Sequence, residues 1–451
     1  MKKILFLIFI PLFSTAQTND AAFIKKISDE ILVNGKAYDW LYHLTKKIGH
    51  RLSGSTAYNQ ASAWGEKTMK EAGADKVIMQ ECKVPHWNRG NGDFAKVVQV
   101  NSKKEVIELN ALALGNSNGG SANAEVIVIQ NFEELEKRKD EVKGKIVFYN
   151  YGFNQSFVET FKAYGDAGKY RQMGASRAAK YGAVACLIRS LSGSTDNFPH
   201  TGAMRYNDSF PKIPALALGL KDADRLNELA SKNKIIVDLE THGKMFEDAI
   251  AHNVIGELKG SEFPNEYITV GGHLDSWDVG EGAHDDGAGC VQTMEVLRVL
   301  KTLNYTPKRT LRFVLFANEE NGLRGGNVYA TKALENNEQH IFALESDAGG
   351  FTPRGFTFKA SEAQLQKIQT WKHLLAPYGA DKLEMGGGGA DIGPLNEKLK
   401  TVLAGFRPDG QRYFDFHHTA NDVFESVNRR ELLLGAVNMA ILIYLVDQFG
   451  L

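Results

Sequence analysis

Cysteine is scarce in this sequence. Its 451 residues include only three, Cys82, Cys186 and Cys290. So few thiols exclude a small scaffold stapled by disulfides, and an odd number leaves at least one thiol unpaired. The sequence does not decide whether two of them pair. Cys290 begins an apolar helical pattern and is expected to be a buried core thiol.

An excess of either charge is also absent. Lys plus Arg number 53 and Asp plus Glu number 54, which gives a formal net charge of −1. Such a balance provides no bulk attraction for nucleic acid or for an anionic membrane, so we expect neither as a partner. Any partner must be attracted by a local site.

Long apolar runs are missing from the body of the chain. The longest, residues 432–446, is shorter than the ~20 residues that a helix needs to span a bilayer. This run therefore predicts a buried helix of the core.

The first residues have the arrangement of a secretory signal peptide. Two lysines precede the apolar run 4–13, and small residues follow at 14–16, as a signal peptidase site requires. We predict a signal peptide over 1–16, cleaved near Ala16, and a secreted or periplasmic protein that has no membrane partner after cleavage. The alternative is a retained N-terminal anchor.

Glycine, by contrast, is abundant, with 44 residues, about a tenth of the chain against ~7% on average. After residue 254 the pattern is strand, glycine-rich turn, long helix and strand, which predicts an α/β fold with a doubly wound mixed sheet and helices on both faces. Residues 109–248 contain short strands with few helices and predict a β-rich insertion. The main domain then comprises 17–108 and 249–451.

Candidate metal ligands follow four predicted strands of the second half. Open α/β sheets build their sites beyond the carboxyl ends of parallel strands, so these side chains are expected to form one cluster. The candidates are His273 and Asp275 after strand 267–272, Asp285 and Asp286 at the end of the following glycine-rich loop, Glu319 and Glu320 after strand 311–317, Asp347 after strand 341–344, and His417 and His418 beyond strand 402–405.

The chemistry of this set favours zinc. Imidazole nitrogens and carboxylate oxygens are the ligands that zinc takes, and two zinc ions need a bridging carboxylate. Three carboxylates and one bridging hydroxide balance the charge of two Zn²⁺ ions. The sequence therefore predicts two Zn²⁺ per chain.

Two acidic residues of the cluster are given other roles. Asp275 lies two residues from His273, on the same side of a strand, where its carboxylate can accept the second N–H of the imidazole. Glu319 and Glu320 are adjacent, so their side chains diverge. Glu320 is expected to hold metal, and Glu319 to face the attacking water as general base.

Each residue alone also has an ordinary structural interpretation. A histidine such as His273 is often a satisfied core residue, adjacent glutamates are often solvated, and Asp285 or Asp286 could cap the helix that begins near Ala288. Candidate ligands that follow all four strands favour a shared metal site over four unrelated structural roles.

The motifs resemble those of the co-catalytic zinc exopeptidase family, which includes bacterial aminopeptidases, glutamate carboxypeptidase and the transferrin receptor ectodomain. The likeness covers nearly all of the chain after the signal peptide, and the segment 109–248 resembles the protease-associated domain that such enzymes carry as an insertion. The motifs that carry the resemblance in the main domain are Arg51-Leu-Ser-Gly-Ser55, Gly272-His-Leu-Asp-Ser-Trp-Asp278, Gly282-Ala-His-Asp-Asp-Gly287, Glu319-Glu320, Glu345-Ser-Asp347 and His417-His-Thr-Ala-Asn-Asp422.

The resemblance implies a specific assignment of ligands. One zinc would be held by His273, Asp285 and Asp347, and the other by Asp285, Glu320 and His418. His417 occupies the place where related enzymes often have a tyrosine that stabilises the oxyanion.

We expect a dinuclear zinc exopeptidase that acts on short peptides, either as a dipeptidase or carboxypeptidase or as an aminopeptidase on longer peptides. A glutaminyl cyclase with one zinc and a non-enzymatic binding protein are the alternatives from other classes. Arg407, Arg412 and Tyr413, expected in an exposed loop, are candidates for binding a substrate carboxylate. His417 is a further candidate for contact with the substrate. The sequence does not decide whether the protein forms a homodimer.

Overall fold

The computed structural model describes residues 13–451, with side chains from residue 19 onward. The predicted signal peptide, 1–16, therefore lies outside the described residues except for its last four backbone positions, and export stays a prediction. The strands of the described part are β1 Lys76–Asn88, β2 Phe94–Val100, β3 Lys103–Leu109, β4 Ala111–Ala113, β5 Gly120–Ile129, β6 Ile146–Tyr149, β7 Ala185–Arg189, β8 Ala215–Leu218, β9 Ile235–Thr241, β10 Lys244–Leu258, β11 Phe263–His273, β12 Arg309–Phe316, β13 Gln339–Glu345, β14 Pro353–Lys359, β15 Lys382–Met385 and β16 Val402–Pro408.

Helices connect these strands and cover the sheets. They are α1 Phe13–Asn34, α2 Ala37–Tyr42, α3 Thr56–Glu71, α4 Phe132–Lys137, α5 Thr160–Ala179, α6 Leu220–Lys232, α7 Ala288–Thr302, α8 Arg324–Glu335, α9 Glu362–Gln369, α10 Lys372–Leu375, α11 Gly393–Leu399, α12 Tyr413–Phe416 and α13 Arg429–Phe449.

The first sheet has the strand order β1-β10-β12-β11-β13-β16-β14-β15. Its centre is parallel, because β11 pairs in parallel with β12 and β13, and β13 pairs in parallel with β16. The flanking strands β10 and β14 run antiparallel to this centre. The carboxyl ends of β11, β12, β13 and β16 therefore meet at one edge of a mixed sheet.

Helices cover both faces of this sheet, and the sequence of β12 shows why. Successive side chains of a strand point to opposite faces, so Phe313 and Leu315 enter a core shared with α7 and α13, whereas Val314 and Phe316 pack with α8 and α11. A strand buried on both faces reads as a continuous apolar run. The predicted α/β fold with a mixed sheet is confirmed.

A second sheet has the order β3-β2-β9-β5-β6-β7-β8-β4. All its strands lie in the chain between β1 and β10. It begins at Phe94, because β2 pairs with both β3 and β9, whereas the insertion is predicted to begin at 109. The alternation of β2 and β3 does not reveal which of two sheets they join. The likeness of this unit to a protease-associated domain stays a prediction.

The C-terminal helix α13 contains the apolar run 432–446. Among the described residues it is the one helix long and apolar enough to cross a membrane, but 83% of its apolar window is buried inside the protein. Asn428 caps its first turn by accepting from the backbone N–H groups of Arg430 and Glu431. The buried helix predicted from its length is confirmed.

The three cysteines are all buried and unpaired in the structure. The Cys290 thiol lies at the start of α7 and donates to the carbonyl oxygen of His273. Burial raises the pKa of Cys186 and Cys290, so neither thiol is an activated nucleophile.

A partly buried ionic network lies at the amino-terminal edge of the parallel strands, away from the predicted site. Glu338 accepts from the imidazole of His340 at 3.0 Å and from the guanidinium of Arg312. Burial alone would raise the pKa of Glu338, but these hydrogen bonds outweigh it and lower the pKa to about 2. The ionised carboxylate therefore stabilises the fold.

We expect Glu338→Gln to reduce the free energy of unfolding at pH 7 by about 2 kcal/mol, because it removes charged hydrogen bonds from a buried pair. The pKa is lower in the folded state, so this contribution is present above the unfolded value of 4.5 and is lost as the pH falls toward 2. Urea unfolding at pH 7 and pH 3 measures the difference in free energy of unfolding between wild type and Glu338→Gln, with the exposed Glu335→Gln as control. A difference that was larger at pH 3 than at pH 7 would contradict this assignment.

Candidate metal centre

The predicted site residues lie beyond the carboxyl ends of the parallel strands. His273 is the last residue of β11, Glu319 and Glu320 lie in the turn after β12, and Asp347 follows β13 by two residues. His418 comes from the loop after α12, beyond β16. The parallel direction of the four strands brings these separate parts of the chain to one edge.

Three of these side chains form a first cluster. The His273 Nε2 atom lies 3.2 Å from Asp285 Oδ1 and 3.5 Å from Asp347 Oδ1. The donor atoms all lie within 4.8 Å of one another. His273 and Asp285 are buried, while Asp347 is half-buried. One small cation could be coordinated by all three.

A second cluster shares Asp285 with the first. The other carboxylate oxygen, Asp285 Oδ2, lies 3.3 Å from His418 Nε2, which in turn lies 3.1 Å from Glu320 Oε2. The two oxygens of Asp285 therefore face two different imidazoles. This is the arrangement that a carboxylate bridging two metal ions requires.

The neighbouring Asp286 is used differently. Its carboxylate accepts from the backbone N–H groups of His273 at 3.1 Å and Gly289 at 3.0 Å. Both oxygens are therefore engaged with backbone, at the start of α7. Of the two adjacent aspartates, Asp285 is the one whose carboxylate faces the imidazoles.

His417 packs directly on the second cluster. Its ring stacks on that of His418, with centroids 3.5 Å apart, and its Nε2 lies 3.6 Å from Asp285 Oδ2. The ring also packs nearly perpendicular to that of Tyr164. Burial and the positive charge of His418 lower the pKa of His417, so its imidazole is neutral beside the cluster.

The electrostatics of the cluster favour a bound cation. Asp285 Oδ2 and Glu320 Oε1 are buried without any hydrogen-bond partner among the described residues, and a buried polar atom left unpaired is costly. Burial and the negative charge of Asp285 raise the pKa of Glu320 to about 7. Burial would lower the pKa of His418, but the charge of Glu320 and the side-chain contacts of the imidazole with Asp285 and Glu320 outweigh it and raise that pKa. The donor set of two imidazoles and three carboxylates fits zinc.

Asp275 supports the site in a way that differs from expectation. The predicted acceptor for the His273 Nδ1–H was the Asp275 carboxylate, but its nearer oxygen is 3.8 Å away, and the backbone carbonyl of Asp275 accepts at 3.0 Å instead. The carboxylate turns to the next strand, where it accepts from the backbone N–H groups of Glu319 at 3.0 Å and Glu320 at 3.3 Å. Asp275 thus fixes the turn that carries both glutamates.

Two further residues position the loop that carries Asp285. The Asp422 carboxylate accepts from the backbone N–H groups of His284 at 2.7 Å and Asp285 at 3.1 Å. The fully buried Arg51 guanidinium donates to three carbonyl oxygens of the same region, those of Leu274, Glu281 and Gly282.

The roles of Arg51 and Asp422 were not predicted from the sequence. Both residues belong to motifs that carry the family resemblance, and this position in a motif was the sequence signal that pointed to them. Their backbone partners lie more than a hundred residues away in the chain, and no spacing argument could identify them.

The cluster opens into a cavity of about 520 Å³. Glu319 is part of its wall, and burial raises the pKa of its carboxyl group well above the ordinary value. The cavity is lined by the aromatic residues Phe161, Tyr164, Tyr413 and Phe414, which pack against one another, and by Asp285, Glu320, Asp347, His417, His418, Arg171, Arg205 and Arg324, among others.

Of the three candidates for binding a substrate carboxylate, one lines the cavity. Tyr413 is buried and lines the cavity, although an exposed loop was expected. Arg407 belongs to β16, is half-buried and donates through Nε to Thr357 Oγ1 at 3.0 Å. Arg412 is exposed and faces Glu431. Among the described residues that line the cavity, neither of these arginines is found.

Sequence comparisons with known proteins identify a matching family and similar proteins. The sequence model of Peptidase family M28 matches residues 253–442. Carboxypeptidase Q of Mus musculus is 35% identical over 417 residues, which cover 91% of this chain and 85% of that protein.

Solved structures are similar as well. The structure of a Peptidase M28 precursor from Shewanella amazonensis SB2B has a TM-score of 0.90 and 30% identity, over 95% of this chain and 97% of the other. A zinc aminopeptidase from Bacillus subtilis has a TM-score of 0.64 and 20% identity, over 90% of this chain and 94% of the other. At that identity the likeness concerns the fold alone.

Proposed function

Because this chain belongs to peptidase family M28 and is a metallo-exopeptidase, we propose that it uses two zinc ions, with Glu319 as general base, to hydrolyse short peptides. The observation that carries the proposal is the position of Asp285. Its two oxygens face the imidazoles of His273 and His418 from one buried carboxylate.

The proposed ligands divide into two sets that share this carboxylate. His273, Asp285 and Asp347 would hold one ion, and Asp285, Glu320 and His418 the other. When bound, zinc supplies Lewis-acid polarisation of the peptide carbonyl and activates water at neutral pH. The unpaired oxygens of Asp285 and Glu320 support this assignment.

Glu319 is proposed to move the proton. Its neighbour Glu320 is turned toward His418, which leaves the Glu319 carboxyl group in the cavity wall. The backbone of both residues is fixed by Asp275. Glu319 would take a proton from the attacking water and return it to the leaving amine, and a raised pKa suits a group that must act as base and then as acid.

The substrate class follows from the size of the site. Pockets for small molecules are typically 300–1,000 Å³, so a cavity of about 520 Å³ fits a dipeptide or the end of a short peptide. Four aromatic lining residues that pack against one another provide apolar contact for a side chain of the substrate. The name of the relative from Mus musculus, carboxypeptidase Q, supports recognition of a free C-terminus.

Hydrolysis assays with one dipeptide in free, N-acetylated and C-amidated forms test this function. We expect turnover of the free dipeptide, its loss when the metal is stripped, its return with added zinc, and a large loss when either terminus is blocked. Loss on N-acetylation alone would indicate an aminopeptidase. No hydrolysis by the zinc-loaded protein, or cyclisation of N-terminal glutamine instead, would overturn the proposal.

A further inference from the structure

Arg171 is a buried cation without a counter-ion. It lies on α5, in the unit of the second sheet, with 6% of its surface exposed, and it lines the cavity. Among the described residues no carboxylate comes within ion-pair distance of it, and its Nε–H has no hydrogen-bond partner. Its contacts are neutral acceptors, the Tyr164 hydroxyl at 2.7 Å and the Thr201 carbonyl oxygen at 3.5 Å.

This arrangement is costly unless a ligand completes it. A buried charge normally requires an opposite charge and a full set of hydrogen bonds. The guanidinium has five N–H donors in a planar fork that matches a carboxylate. Since Arg171 borders the cavity, an anion bound there would supply the missing partner.

Arg171 also lies beside the proposed metal centre. The Thr201 carbonyl oxygen that it approaches is 3.1 Å from His418 Nδ1. The next residue, Gly202, has a φ of +132°, and a Cβ there would lie 2.5 Å from Arg171 Nη1 and 2.7 Å from His418 Nδ1. One carbonyl group therefore separates the cation from an imidazole of the site.

We propose that Arg171 binds the C-terminal α-carboxylate of the peptide substrate. In a dipeptide only the peptide nitrogen and one Cα separate the carbonyl to be cleaved from the terminal carboxylate, so a cation next to the centre is within reach of it. The inference rests on the proposed function and deepens it, because it makes a free C-terminus directly after the cleaved bond a requirement.

Tyr164 is the positioning partner of this cation. Its hydroxyl accepts from Arg171 Nη2, and its ring lies 5.2 Å from the guanidinium carbon. The same ring packs nearly perpendicular to that of His417, with the centroids 4.9 Å apart. Arg205 and Arg324 also line the cavity, but both are exposed, and solvent weakens the attraction of an exposed charge.

The test compares Ala-Phe with its C-terminal amide for wild type, Arg171→Gln, Arg171→Lys and the control Arg177→Gln. Arg177 is exposed on the same helix and lies outside the cavity lining. We expect wild type to prefer the acid about ten- to a hundredfold in kcat/KM, as a charged hydrogen bond gives. Arg171→Gln should lose that preference through a higher KM for the acid, and leave the amide within about threefold. The preference of Arg171→Lys for the acid should lie between those of wild type and Arg171→Gln, and the preference of Arg177→Gln should match that of wild type.

Other results would overturn the inference. If Arg171→Gln kept the preference, or slowed acid and amide equally, the residue would not bind the carboxylate. Thermal unfolding and zinc content show whether Arg171→Gln is folded. If it is not folded, the ratio of kcat/KM for the acid to that for the amide in Arg171→Lys tests the inference instead. Wild type that cleaves both substrates equally overturns only this inference, whereas zinc-loaded wild type that cleaves neither overturns the proposed function with it.

Discussion

Replacement of Glu319 by glutamine is expected to lower kcat by about 10²–10⁴-fold, the usual contribution of a general base. The amide keeps the size of the side chain but cannot take a proton from water. The KM should change little, because the same cavity binds the substrate. Steady-state kinetics on the free dipeptide measure the effect.

The zinc content of Glu319→Gln separates this role from metal binding. Glu319 is outside the proposed ligand sets, so the variant should keep the zinc content of wild type. Glu397→Gln, at an exposed site on α11, is the matched control and should keep full activity. Turnover within about threefold of wild type for Glu319→Gln would remove the residue from the mechanism.

Replacement of Asp285 by asparagine is the second large effect. We expect bound zinc to fall from about two equivalents to one or fewer, because a neutral amide cannot bridge two ions, and turnover to fall at least about 10³-fold. Loss of one shared carboxylate should weaken both sets of ligands. Metal analysis after gel filtration, together with steady-state kinetics, measures both changes.

The control for this variant is Asp381→Asn, which changes the same chemical group at an exposed position. It should keep the metal content and activity of wild type. Circular dichroism would show that Asp285→Asn is folded. If that variant bound as much zinc as wild type, Asp285 would not be the bridging ligand.

The sequence was most informative about the parallel strands. The apolar run of β12 and the polar residues that follow it predicted both a buried strand and a site at its end, because strand direction determines which side chains meet. Sequence spacing did not determine the partner of His273. A carbonyl and a carboxylate of Asp275 are equally close in the chain, and the path of the chain after β11 brings the carbonyl to the imidazole.

Contacts between segments far apart in the chain were the other feature that the sequence could not predict. The start of the second sheet at Phe94 depends on pairing with β9, about 140 residues later. Arg171 lies in the insertion, outside every motif that carries the metal-site prediction, and its position beside His418 depends on how Thr201 meets the main domain. Arg407 was expected in a loop, but its pairing in β16 with β14 holds it in a strand.

Anomalous scattering at the zinc edge, from crystals of the wild-type protein grown with zinc, directly tests whether two zinc ions share Asp285. We expect two peaks about 3.5–4 Å apart, the usual separation in two-metal sites, one beside His273 and Asp347 and the other beside Glu320 and His418, with Asp285 contacting both. A single peak, or a pair of peaks that does not share Asp285, would contradict it.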